Sequence, residues 1–279
     1  MITLLMVLLC SAAILAVLYL LMIMPRMVGK ADSVSFKKVL YAHRGLHDNA
    51  SEAPENSLAA FEKAVAGGYG IELDIQLTKD HIPVVFHDYT LKRICGAEGK
   101  VADYTYEELQ QFRLCGSKEK IPQFSEVLEL VAGKVPLIVE LKIEYRDTSL
   151  CPEADKLLSG YNGLYCIESF NPLGVLWYRR NRPKIMRGQL SDAFLKSGKY
   201  KGMLYFALEN LLFNFLTRPD FVAYNHKNAS KLSRRICRSL YHNTAVAWTI
   251  RSEEELENAR KHFDMYIFES FMPEKEELA

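Results

Sequence analysis

Val39-Leu-Tyr-Ala-His-Arg44, Gly70-Ile-Glu-Leu-Asp-Ile75 and Pro83-Val-Val-Phe-His-Asp88 share one pattern, an apolar run that turns abruptly charged. Read as buried strands, they end on His43, Arg44, Glu72, Asp74 and His87. In a parallel sheet, the edge formed by strand C-termini is where chemistry collects.

Outward from this stretch, further apolar runs occur at Leu137–Leu141, Leu164–Ile167, Ile185–Arg187, Phe221–Tyr224, Ala245–Ile250 and Met265–Phe268. Amphipathic stretches at Ser57–Ala66, Tyr106–Arg113, Phe124–Val131, Leu173–Arg180 and Glu253–His262 alternate with most of them. Such alternation predicts a TIM-type (β/α)8 barrel of the α/β class. Nine candidate strands exceed eight, so one is accessory or misread. Between Asp74 and His87 there is no room for a helical crossover, which predicts a hairpin around Lys79-Asp80-His81 with Asp74 opposite His87.

The barrel is preceded by Ile2–Met24, which carries no charged side chain. As a helix it spans roughly 35 Å, enough for a hydrocarbon core of about 30 Å. It lacks the basic n-region and short apolar core of a cleaved signal. The expected organisation is a single-pass transmembrane anchor with a short linker over residues 1–30 and a barrel over residues 31–279. Arg26, Lys30, Lys37 and Lys38 follow the span, which by the positive-inside rule sets the barrel in the cytoplasm. With 35 basic and 34 acidic residues the net charge is +1, and no basic run suggests nucleic acid. Cys10 lies in the span, and the other five cysteines are an odd set without CxxC spacing, which reads as reduced, packed thiols.

Glu72 and Asp74 alternate on a strand and project to one face. Two carboxylates aimed at one point repel unless a cation lies between them, and a hard divalent ion, Mg2+ or Ca2+, suits oxygen ligands. ExD alone equally describes an exposed strand face. Glu140 supplies a third carboxylate at the end of Val135-Pro-Leu-Ile-Val-Glu140, and Lys142 follows on the same face to meet a phosphate oxygen. Arg44 offers a planar fork for phosphate. An unperturbed imidazole titrates near neutrality, so His43 and His87 could serve as general base and general acid across a phosphodiester. Asn56 or Ser57 caps the helix that follows, and Glu55 could orient His43 or Arg44.

Taken together, His43-Arg44-Gly45, Pro54-Glu-Asn-Ser57, Glu72-Leu-Asp74, Thr78-Lys-Asp80, His87-Asp88, Leu91-Lys-Arg93 and Glu140-Leu-Lys142 resemble the glycerophosphodiester phosphodiesterase family. Ser169-Phe-Asn171 and Trp248-Thr-Ile250 extend the resemblance across everything after the anchor. It implies a TIM-type barrel, a divalent metal at Glu72, Asp74 and Glu140, and acid–base catalysis by His43 and His87. It further implies hydrolysis of a small-molecule glycerophosphodiester to an alcohol and sn-glycerol 3-phosphate, in phospholipid metabolism. Three departures stand out: a longer loop carrying His47 and Asp48, Phe268-Glu-Ser270 in place of a Thr-Asp pair, and His81 in place of a turn glycine, implying a different turn geometry.

Tyr200–Leu216 is rich in Leu, Phe, Met and Tyr, and reads either as a core-packing helix or as an interfacial one. Two alternatives to the diesterase follow: a lysophospholipase D acting on lysophospholipids, and a catalytically silent, membrane-tethered lipid sensor or scaffold.

Overall fold

The computed structural model describes residues 1–274. Its strands are β1 (Tyr41–His43), β2 (Gly70–Leu77), β3 (Pro83–Val85), β4 (Leu137–Leu141), β5 (Tyr165–Ser169), β6 (Arg187–Ser191), β7 (Phe221–Asn225), β8 (Thr244–Ile250) and β9 (Met265–Phe268). All except β3 pair in parallel, and β1 bonds to both β2 and β9, which closes an eight-stranded barrel. The longer helices are α1 (Ile2–Ile23), α2 (Leu58–Ala66), α3 (Phe124–Val131), α4 (Leu150–Leu158), α5 (Pro172–Asn181), α6 (Met203–Glu209), α7 (Leu232–Ser239) and α8 (Glu253–Arg260). The stretch expected to be helical to Arg113 forms a single turn, Tyr106–Leu109.

The accessory strand is β3. One edge of β2 is shared: residues 70–72 pair with β1, and residues 75–77 pair antiparallel with β3. The hairpin forms as expected, but its register sets Ile75 against Val85, so Asp74 faces Phe86 and not His87. The Phe86 N–H donates to the Asp74 carbonyl at 2.9 Å. His81 takes a left-handed φ of 61°, the conformation a glycine would supply there, so the turn keeps that geometry despite the substitution.

Strand alternation divides the core in two. Ile71, Leu73, Val139, Ile167, Val222 and Ala247 face outward into the shell of helices. Tyr41, Ile138, Cys166, Phe221, Met265 and Ile267 fill the barrel with Phe36 beneath. Gly188 is required by this filling, because a Cβ there would lie 2.0 Å from the Phe221 ring. Above these residues the inward positions become charged.

The helix α1 is exposed from residue 1 to residue 18, and only its last turn docks. Ile23 is fully buried, and its carbonyl accepts from Asn214 Nδ2 at 3.0 Å and from Cys237 Sγ at 3.4 Å. Tyr241 donates its hydroxyl to the Leu20 carbonyl at 2.9 Å. Arg26 then reaches buried Asp220 at 3.3 Å. These contacts satisfy C-terminal helix carbonyls that would otherwise be orphaned. All six cysteines are free thiols.

Candidate active site

Register brings the charged groups into one layer. His43 lies beside Glu72, Asp74 beside Glu140, and Glu140 beside Glu168 across adjacent parallel strands. One oxygen each of Glu72, Asp74 and Glu140 lies within 4.8 Å of the others, and all three residues are buried. Burial, together with the charges of Asp74, Glu140 and Glu168, pushes Glu72 well above the usual carboxylate range. Burial also raises Glu140, against the opposing charge of Lys142. Asp74 goes the other way: despite burial, His87, Lys142 and Arg44 hold it well below its ordinary value. Asp74 Oδ1 is buried without a hydrogen-bond partner. Three buried carboxylates, one with an oxygen that accepts no hydrogen bond, form an all-oxygen donor set that fits a hard divalent cation.

Lys142 stands at the rim of this set, 3.0 Å from Glu140 Oε1 and 3.4 Å from Asp74 Oδ1. Arg44 approaches from the other side at φ 56°, its backbone N–H donating to Glu72 Oε2 at 3.1 Å and its guanidinium to Glu55 at 2.7 Å. Glu55 also binds Asn49 at 2.9 Å and receives two bonds of 2.8 Å from Arg93. Burial would raise its pKa, but Arg93 and Arg44 bring it down to about 2. Of the two partners expected for Glu55, then, the structure provides Arg44. Ser57 is the helix cap, accepting from the Ala60 N–H at 3.1 Å, while Asn56 turns to donate to Asp74 Oδ2 at 3.0 Å.

The two histidines are each held by a carboxylate at Nδ1. His87 pairs with Asp88 at 2.6 Å, and Asp88 is gripped by Arg93 at 2.6 and 2.9 Å. His43 pairs with Glu269 through a short bond, which leaves its Nε2 3.9 Å from Glu72 Oε2. Burial and the neighbouring Arg44 lower His43 to about 4 even with Glu269 opposing them. Its imidazole is therefore neutral at pH 7. Arg251 holds the far oxygen of Glu269 at 2.5 Å, and His47 lies 3.9 Å from the near one. Asp48 builds its own loop, accepting from the Ala50 N–H at 2.9 Å.

His43, Arg44, Glu72, His87 and Glu140 line one cavity of about 160 Å³, with Phe170, Trp248 and Arg251 on its far wall. Sequence reasoning gave no site role to Glu269, Glu168 or Arg93, and read Asn56 only as a candidate helix cap. Glu168 had a legible signal, since it alternates with Cys166 on an apolar strand as Glu72 does with Asp74.

The model of the glycerophosphoryl diester phosphodiesterase family matches residues 43–265. A glycerophosphodiester phosphodiesterase from Caldanaerobacter subterraneus subsp. tengcongensis is 30% identical over 239 residues, covering 81% of this chain and 90% of the relative. Among solved structures, an Oleispira antarctica phosphodiesterase in complex with the product sn-glycerol-3-phosphate superposes with a TM-score of 0.67 at 24% identity, covering 85% and 94% of the two chains. A Thermotoga maritima glycerophosphodiester phosphodiesterase gives 0.63 at 24% identity, covering 83% and 94%. The barrel and its charged mouth thus fall in the class of phosphoric diester hydrolases. Within that class, the chain belongs to the glycerophosphoryl diester phosphodiesterase family.

Proposed function

We propose that this chain hydrolyses glycerophosphodiesters to sn-glycerol 3-phosphate and an alcohol, by metal-dependent acid–base catalysis at a membrane. The observation that carries the reading is the buried carboxylate trio, two of whose members, Glu72 and Glu140, line one small cavity with both histidines. Glu72, Asp74 and Glu140 would hold one Mg2+ or Ca2+. Bound there, the cation supplies Lewis-acid relief of charge on the phosphate oxygens.

The protein's own groups divide the remaining work. Arg44 and Lys142 bind the phosphate and stabilise the negative charge that grows in the transition state. Glu55 fixes the plane of the Arg44 guanidinium. His43, neutral and with Nε2 available, accepts the proton of the nucleophile, either water or a glycerol hydroxyl. His87 donates a proton to the departing alkoxide, its orientation set by Asp88. With all of these groups in place, the chemistry favours an enzyme over a silent scaffold.

Residues 1–30 form the anchor region and 31–279 the catalytic domain, with the docked last turn of α1 joining the two. An apolar helix of 22 residues, followed by Arg26, Lys30, Lys37 and Lys38, supports a span with the barrel on the cytoplasmic side. The test is release of alcohol from glycerophosphocholine with EDTA and with Mg2+ or Ca2+ restored. Turnover is expected to vanish with chelator and return with one cation; full activity in EDTA would refute the metal's role.

A further inference from the structure

A second, larger cavity of about 420 Å³ adjoins the catalytic one and shares His87, Glu140 and Phe170 with it. Its outer wall is the segment between β6 and β7, where Phe194 stacks edge-on with Phe170 at 6.0 Å and with Tyr200 at 5.6 Å, and Tyr200 meets Tyr205 at 4.7 Å. Leu208 and Ile143 complete an apolar lining. Tyr205 and Leu208 lie on α6, on which Met203, Leu204 and Phe206 are exposed by 78%, 59% and 45%. An aromatic groove walled by a helix that leaves large apolar side chains in water marks a contact for an apolar ligand.

We propose that this groove receives the departing alcohol of the substrate, and that this alcohol carries a long apolar chain. The inference rests on the diesterase reading above and on His87 as the group that protonates the leaving oxygen. The cavity opens on the His87 side, whereas His43 lines only the smaller one. An aromatic groove could instead hold a quaternary ammonium, but its cations speak against that. Lys199 Nζ already lies 5.4 Å over the Tyr200 ring, and Lys142 stands at the inner end. In the reaction, the nucleophile's oxygen bonds to phosphorus as its proton passes to His43. The bond from phosphorus to the chain-bearing oxygen breaks, and that oxygen takes the His87 proton.

The test uses the full-length protein in detergent, with three substrates below their micelle concentrations. They are a glycerophosphoalkanol series of increasing alkyl length, glycerophosphocholine, and short-chain lysophosphatidylcholine with its acyl group on the glycerol. We expect kcat/KM to rise with alkyl length, by up to about four-fold per added CH2. In Leu208→Trp, which fills the groove, and in Tyr205→Ala, which opens its wall, the rise with alkyl length should flatten, and a rise as steep as that of wild type in both folded variants would overturn the proposal. A wild-type series indifferent to alkyl length, or a preference for either choline substrate, would overturn the proposal while leaving the diesterase reading intact. No turnover on any substrate would overturn both. The wild-type series decides the matter even where a variant fails to fold.

Discussion

At the scale of single residues, the site is built from carboxylates that position other groups. Glu269 holds His43 at Nδ1, which leaves Nε2 free of that bond, and its charge raises the proton affinity of His43 against burial. In Glu269→Gln the imidazole loses that support. We expect kcat to fall by about 10- to 100-fold with KM little changed. The His43 pKa, already lowered to about 4, should drop further, so the acid limb of the pH profile moves to lower pH. An unmoved limb would reduce Glu269 to a packing role. The sequence made His43 legible because burying a strand whose end is charged costs free energy that a packing role alone does not return. Glu269 was not legible, because it stands 226 residues away and meets His43 only when the barrel closes. Arg93 ties Arg44 to His87 through its bonds to Glu55 and Asp88, a link that depends on the path of the loops and not on the apolar pattern.

At the scale of elements, the β2–β3 hairpin carries three residues of the site, since Glu72 and Asp74 lie on one strand and His87 follows the other. Its existence followed from the length of the connection. Its register did not, because a one-residue difference turns on the turn's dihedrals and not on the apolar pattern. His81 holds the left-handed turn at a cost that glycine escapes. His81→Gly is therefore expected to raise stability by up to about 1 kcal/mol in thermal or urea unfolding, with kcat unaffected; a loss of stability would show that the His81 side chain contributes contacts of its own. Lengths of elements were read less well than their existence. The single turn Tyr106–Leu109 shows why: a periodic pattern fits one turn as well as two, and Gln110 ends the helix by donating its side chain to the Ile121 carbonyl at 3.1 Å.

At the scale of the whole molecule, eight strands were legible from alternation alone, whereas the seating of α1 was not. Its apolar sequence reads the same whether the last turn is free or docked. Because Ile23 is buried and Arg26 reaches Asp220, a chain shortened to begin at Ala31 should be less stable than one beginning at Tyr19 by about 2–4 kcal/mol. Equal unfolding midpoints would mean that the turn adds nothing to the barrel. The central claim is that the carboxylate trio and the two histidines together hydrolyse a glycerophosphodiester. Its most direct test is identification of the products when the full-length protein, supplied with Mg2+ or Ca2+, meets glycerophosphocholine, beside His43→Ala and His87→Ala. Release of sn-glycerol 3-phosphate and choline in equal amounts, cut by about 10²- to 10⁴-fold in each variant, is the predicted result. Phosphocholine and glycerol as products, or turnover indifferent to both substitutions, would contradict it.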